Sequence, residues 1–104
     1  MSHREIVQGL QVVGIDERPI FTLDVSNWGT VPSSVSLDCY KWVTDIWVDV
    51  EALCFPAGSP SASGNVITLP VFVPQAIGDN YRIEVKFTVA GSILEAYALV
   101  DVER

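Results

Sequence analysis

One histidine, two cysteines and one methionine are all this chain of 104 residues offers of imidazole and sulfur side chains. His3 stands alone in a terminus expected to fray into solvent, so a histidine triad or a histidine metal cluster has nothing to build on. Cys39 and Cys54 allow a single intramolecular pair and form no C-x-x-C unit. They are expected to be reduced and partly buried, because free cysteine packs as a small hydrophobe; a disulfide is the alternative in an oxidising compartment. There is no G-x-S-x-G, no G-x-x-x-x-G-K-[ST], no H-E-x-x-H and no spaced cysteine quartet. No catalytic, cofactor or metal residue is therefore expected, and the chain reads as a non-enzyme.

Basic residues are also scarce. Six against thirteen acidic ones leave a net charge of −7, which repels a phosphate backbone and excludes nucleic acid as a partner. The acidic residues are scattered along the chain, so the charge serves solubility. No segment approaches the ~20 apolar residues of a membrane span, and Met1–Glu5 lacks the run of about 7 to 15 that a signal peptide needs. The product is expected in the cytoplasm when made. Linkers, repeats and low-complexity segments are missing as well, which makes residues 1–104 one domain.

What the chain has is apolar residues, 49% of the total, enough to fill one core. They alternate. Tyr81 to Val89 and Leu94 to Val102 read as two strands folded back across Gly91-Ser92, which sets Phe87 opposite Ala96 and Tyr81 opposite Val102 and makes one hairpin face wholly apolar. Upstream, Ile6 to Ile15 suggests a bent edge strand, Asp16 to Pro19 a turn, and Phe21, Leu23 and Val25 alternate with Thr22, Asp24 and Ser26 as a second strand. Val35, Leu37 and Cys39 alternate with Ser36, Asp38 and Tyr40 in a third, running to Trp42. Thr44 to Leu53 is read as a strand, with one helical turn around Val50 to Leu53 as the alternative. Phe55 to Gly64, rich in Pro, Gly and Ser, is expected to be a surface loop. Val66 to Val73 carries Pro70 and is expected either at an edge or as a strand that bends and switches sheets at that proline. About seven short strands with frequent turn signals predict an all-β sandwich, the Greek-key immunoglobulin-like or fibronectin type III-like arrangement being the first choice.

Two groups of residues could carry function. Asp45, Asp49 and Glu51 are close enough in sequence to chelate calcium, but they lack the D-x-D-x-D-G spacing and are better read as a solvated acidic edge. Trp28, Tyr40, Trp42, Trp47 and Tyr97 form the candidate interface. Flat aromatic rings on a sandwich face can anchor the core, cover a subunit contact or stack sugar rings. In an unbulged third strand Tyr40 and Trp42 lie on the face opposite Leu37 and Cys39.

Phe72-x-Pro74 followed by Tyr81-x-Ile83-x-Val85 resembles the entry to the penultimate strand of fibronectin type III domains, where a corner tyrosine hydrogen-bonds back to upstream backbone. More broadly, the order of Leu23 to Trp28, Ser33 to Leu37, Gly58 to Thr68 and Tyr81 to Val89 with Glu95-Ala96-Tyr97 is similar to small immunoglobulin-like virion proteins of tailed bacteriophages and prophages, described as fiber-tail adaptor-like. That resemblance implies a structural role in a virion, or in the bacterial cytoplasm before assembly, and contacts with other protein subunits or with further copies of the chain. A carbohydrate-binding accessory module using surface tryptophans is the alternative.

Overall fold

The computed structural model describes residues 3–5, 10–26, 28, 31–56, 58–89 and 91–103. Among these, nine strands and one helical turn follow in the order β1 (His3–Glu5), β2 (Leu10–Gly14), β3 (Ile20–Asp24), β4 (Ser33–Val43), β5 (Ile46–Asp49), α1 (Glu51–Cys54), β6 (Ser61–Ser63), β7 (Val66–Val71), β8 (Asn80–Val89) and β9 (Ser92–Glu103). The chain is all-β and sandwich-like, with a four-stranded sheet ordered β1-β3-β7-β6 and a five-stranded sheet ordered β2-β9-β8-β4-β5.

The alternation seen in the sequence sets which faces meet. Phe21 and Leu23 of β3 and Val25 just after it are buried, and so are Tyr81, Ile83, Val85, Phe87 and Val89 of β8, each at most 3% exposed. Burying a large apolar side chain is worth about 1.5–3 kcal/mol. A one-residue slip of β8 would therefore forfeit on the order of 10 kcal/mol, comparable to the whole stability of such a domain. Across the core, Phe72 touches Phe21, Phe55 and Tyr81 at centroid distances of 5.7, 5.4 and 5.5 Å, which ties the two sheets together through one aromatic cluster.

The terminal hairpin differs from the sequence expectation by two residues. Val89 pairs with Ser92, Phe87 with Leu94, Val85 with Ala96, Ile83 with Ala98 and Tyr81 with Val100, so the connection lies at residues 90–91. A slip of two preserves the apolar face; the turn decides, and Gly91 takes its positive φ of 83° as the last residue before β9.

Other elements depart in informative ways. Where fraying was expected, residues His3–Glu5 form β1, which runs parallel to β3 with His3 opposite Ile20, while the exposure expected of the His3 side chain lies outside the described residues. Of the expected first strand, residues 6–9 lie outside the described residues, and Leu10–Gly14 forms an edge, parallel to β9. The following turn starts earlier than Asp16, since the Glu17 amide donates to the Gly14 carbonyl. Both readings of Thr44 to Leu53 apply, strand first and a helical turn after it. Phe55 to Gly64 is not simply a surface loop, because Phe55 is 4% exposed and Ser61–Ser63 pairs with β7. Consequently β7 is interior instead of an edge, although Pro70 falls beyond Thr68, the last residue that β6 pairs.

Tyr81 anchors the corner before β8. Its hydroxyl accepts the Gln75 amide at 3.1 Å and donates to Asp79 Oδ2 at 2.6 Å, and Asp79 in turn holds Lys41 at 3.2 Å.

Candidate functional site

The β4–β5 hairpin begins the site. Val43 pairs with Ile46, leaving Thr44 and Asp45 as a two-residue turn with φ of 45° and 67°. Two successive left-handed residues are what a twisted hairpin of this length demands, and a β-branched threonine there stores strain of about 1–3 kcal/mol. Opposing that strain, Trp42 faces Trp47 across the strands with ring centroids 5.0 Å apart and planes 62° apart. Such an edge-to-face pair contributes about 0.5–1.5 kcal/mol beyond its area.

Register carries this pair into a wider face. Tyr40 pairs with Asp49 on one side and Arg82 on the other, Arg82 with Leu99, and Leu99 with Leu10, so these side chains form a row across the five-stranded sheet on its outer surface. In the next row Tyr97 stands opposite Glu84, and Glu84 opposite Asp38. Arg82 joins the rows: its Nε lies 2.7 Å from Glu84 Oε2 and its guanidinium sits 4.4 Å above the centre of the Tyr97 ring. A shallow depression of about 170 Å³ opens between Tyr40, Trp47, Arg82 and Glu84.

The face is acidic as well as aromatic. The Tyr40 hydroxyl is pushed above its ordinary pKa, first by the Asp38 carboxylate and then by desolvation, Glu84, Asp49 and Glu95. Arg82 sits inside this negative field already engaged by Glu84 and Tyr97.

The structure brings Tyr40, Trp42, Trp47 and Tyr97 onto this one face and separates Trp28 from them. Trp28 packs against core residue Phe87 at 5.9 Å and donates its amide to Val25, which makes it a cover for the core beside β3. Sequence reasoning missed Arg82 and Leu99 at the centre of the row; their signal was an Arg and a Leu on the hairpin face that is otherwise polar. The acidic trio is not gathered into a chelate. Asp49 Oδ1 accepts the Glu51 amide at 3.0 Å where α1 begins, and among the described residues no group of three or more His, Cys, Asp or Glu side chains is placed to hold a metal ion.

A second polar cluster lies beneath the hairpin. Cys39 of β4 and Cys54 of α1 are free thiols, both completely buried where the sequence suggested partial burial. Val50 holds them together, its amide donating to the Cys39 carbonyl at 2.9 Å and its carbonyl accepting the Cys54 amide at 3.0 Å. The neighbouring Cys54 thiol and burial push Cys39 far up, whereas the Cys39 thiol beside it favours ionised Cys54 and draws that group down. Tyr81 is also pushed up, chiefly by burial and by its bond to Asp79. A larger open depression, about 360 Å³, lies beside this corner between Ile77–Asn80 and Asp101–Glu103 and brings together no serine, cysteine, histidine or lysine.

Among the described residues no helix is long and apolar enough to cross a membrane. Compared with protein-family models, with curated proteins and with solved structures, the chain finds no match.

Proposed function

We propose that this chain is an immunoglobulin-like sandwich that works without catalysis, by presenting the outer face of its five-stranded sheet to other protein subunits. Strand order supports the fold reading: β1-β3-β7-β6 and β9-β8-β4 follow the ABED and GFC orders of that architecture, with β5 as the added strand beside β4. The Tyr81 bond to the Gln75 backbone has the character of a tyrosine corner. One departure is the first strand, which runs parallel to β3. The tailed-phage setting rests on the sequence resemblance, and a virion subunit is the role we attach to it.

The observation that carries the contact surface is a concentration of exposed apolar residues on one sheet face. Leu10, Val12, Trp42, Trp47, Tyr97 and Leu99 are 57, 45, 42, 40, 40 and 37% exposed, around an arginine held over a tyrosine ring. Aromatic residues and arginine are the types enriched in interface cores, and a contiguous exposed apolar patch marks a surface that meets a partner. Sugar stacking fits less well. A platform for sugar rings needs coplanar, open faces, whereas Trp42 and Trp47 stand 62° apart and pack against each other.

Sizing the protein across a concentration range tests this reading. The wild type is expected to self-associate and the Trp47→Ser variant to remain monomeric at the same concentrations. A strict monomer that binds specific members of a glycan panel would overturn the assembly function and establish the carbohydrate module in its place.

A further inference from the structure

The buried cysteine pair takes no role in the contact surface just described, yet the chain builds a specific setting around it. Cys39 lies near the middle of β4, and α1 is a single turn whose amides at Leu53 and Cys54 both bond back to the Val50 carbonyl. Val50 therefore links the two cysteine backbones directly, and both side chains enter the same core cluster as Tyr81. The Val73 amide donates to the Cys54 carbonyl at 2.7 Å, and Gln75 Nε2 reaches the Leu53 carbonyl at 3.1 Å, which pins α1 against the strand that precedes the tyrosine corner.

We propose that Cys39 and Cys54 are a peroxide-sensitive dithiol, which a small hydroperoxide converts into an intramolecular disulfide fastening α1 to β4. Cys54 is the attacking sulfur. It sits on a four-residue turn whose neighbour Leu53 is 58% exposed, so opening a single helical turn admits an uncharged oxidant, whereas Cys39 lies between two paired strands. The Cys39 thiol beside Cys54 favours the thiolate that the reaction needs.

The chemistry closes without any other reactant. The Cys54 thiolate attacks one oxygen of hydrogen peroxide, the O–O bond breaks, and the departing hydroxide takes up the proton that Cys54 released, leaving a sulfenic acid and one water; an organic hydroperoxide would release the corresponding alcohol in place of that water. Cys39 sulfur then attacks the Cys54 sulfur, its thiol proton leaves with the sulfenic oxygen as a second water, and the S–S bond forms. Each sulfur gives up one electron, and the peroxide is reduced by two. The ring closed in this way contains β5 and the strained turn, and with them both Trp42 and Trp47, so oxidation stiffens the hairpin that presents the aromatic pair.

Hydrogen peroxide titrated onto the whole native chain tests the proposal independently of any partner. Thiols counted in denaturant are expected to fall from two to none, the intact mass to drop by two hydrogens with no covalent dimer, and exchange of the Cys54 amide to slow. Cys39→Ser should stop pairing and leave a Cys54 sulfenic acid that a cyclic dione traps; Cys39→Ala serves if serine is not tolerated in the core. Two thiols persisting in excess peroxide, over-oxidation of either sulfur without pairing, or a disulfide formed between chains would each overturn it.

Discussion

Replacing Phe72 with alanine should be among the most damaging single changes in this fold. Phe72 lies outside any strand, is fully buried, and contacts one ring from the four-stranded sheet, one from the five-stranded sheet and Phe55 between them. Truncating a core phenylalanine costs about 3–5 kcal/mol, and losing three ring contacts at about 0.5–1.5 kcal/mol apiece places this one at the top of that range. Total stability for a domain of this size is roughly 5–15 kcal/mol, so Phe72→Ala removes a third or more of it. At about 4–8 °C per kcal/mol, the melting temperature should fall by at least about 20 °C. Phe72→Leu retains most of the volume and should cost only about 1–2 kcal/mol, which keeps the comparison measurable if the alanine variant is largely unfolded. Urea unfolding followed by tryptophan fluorescence and by far-UV circular dichroism gives both values. If Ala and Leu lowered stability equally, by less than about 1 kcal/mol, the ring would not be what joins the sheets.

Tyr81→Phe should cost about 1.5–3 kcal/mol near neutral pH, by removing the bond to the Asp79 carboxylate and leaving the Gln75 amide without its acceptor. The folded-state pKa of Tyr81 is raised, so its contribution is complete below the unfolded value near 10 and declines as pH climbs above it. The stability difference between wild type and variant, read from urea melts, should therefore be flat from pH 7 to about 9 and shrink beyond about 10; a gap that widens there would refute the assignment. Replacing Thr44-Asp45 by Asn-Gly should relieve the left-handed strain and stabilise the chain by about 1–2 kcal/mol in thermal melts, while a loss of stability would show that the turn is not under strain.

Much of the architecture was legible because it is written in a period of two. Phe21-Leu23-Val25 and Tyr81 to Val89 alternate cleanly, and the faces they implied are the faces that pack. The same period hid the hairpin register, since a slip of two residues returns an identical apolar face and only the turn geometry at Gly91 separates the candidates. The short elements β1, β6 and α1 carry too few positions for any periodicity, and each exists through its partners, whereas β5, no longer than α1, showed in the alternation of Ile46, Val48 and Val50. Phe55 escaped notice because it opens a stretch otherwise made of turn residues. In the site, the aromatic residues were visible by type and Tyr40 and Trp42 by alternation, but their company with Arg82, Leu99 and Leu10 depends on pairings between distant strands. Trp28 looked equivalent by composition, and its contact with Phe87 sets it apart.

The pairing of β2 with β9 has a mechanical consequence. These strands run in the same direction, side by side, with Leu10 to Gly14 matched to Leu99 to Glu103. A load pulling the N-terminal end of β2 away from the C-terminal end of β9 would slide one strand along the other, stressing the whole ladder at once. In an antiparallel hairpin pulled from its open end, the rungs would instead break in succession, each bearing the load alone. The parallel contact of β1 with β3 is loaded in the same sense as β2 is drawn backward. Tension across such a chain would meet two shear clamps in series near its N-terminus before it reached the core.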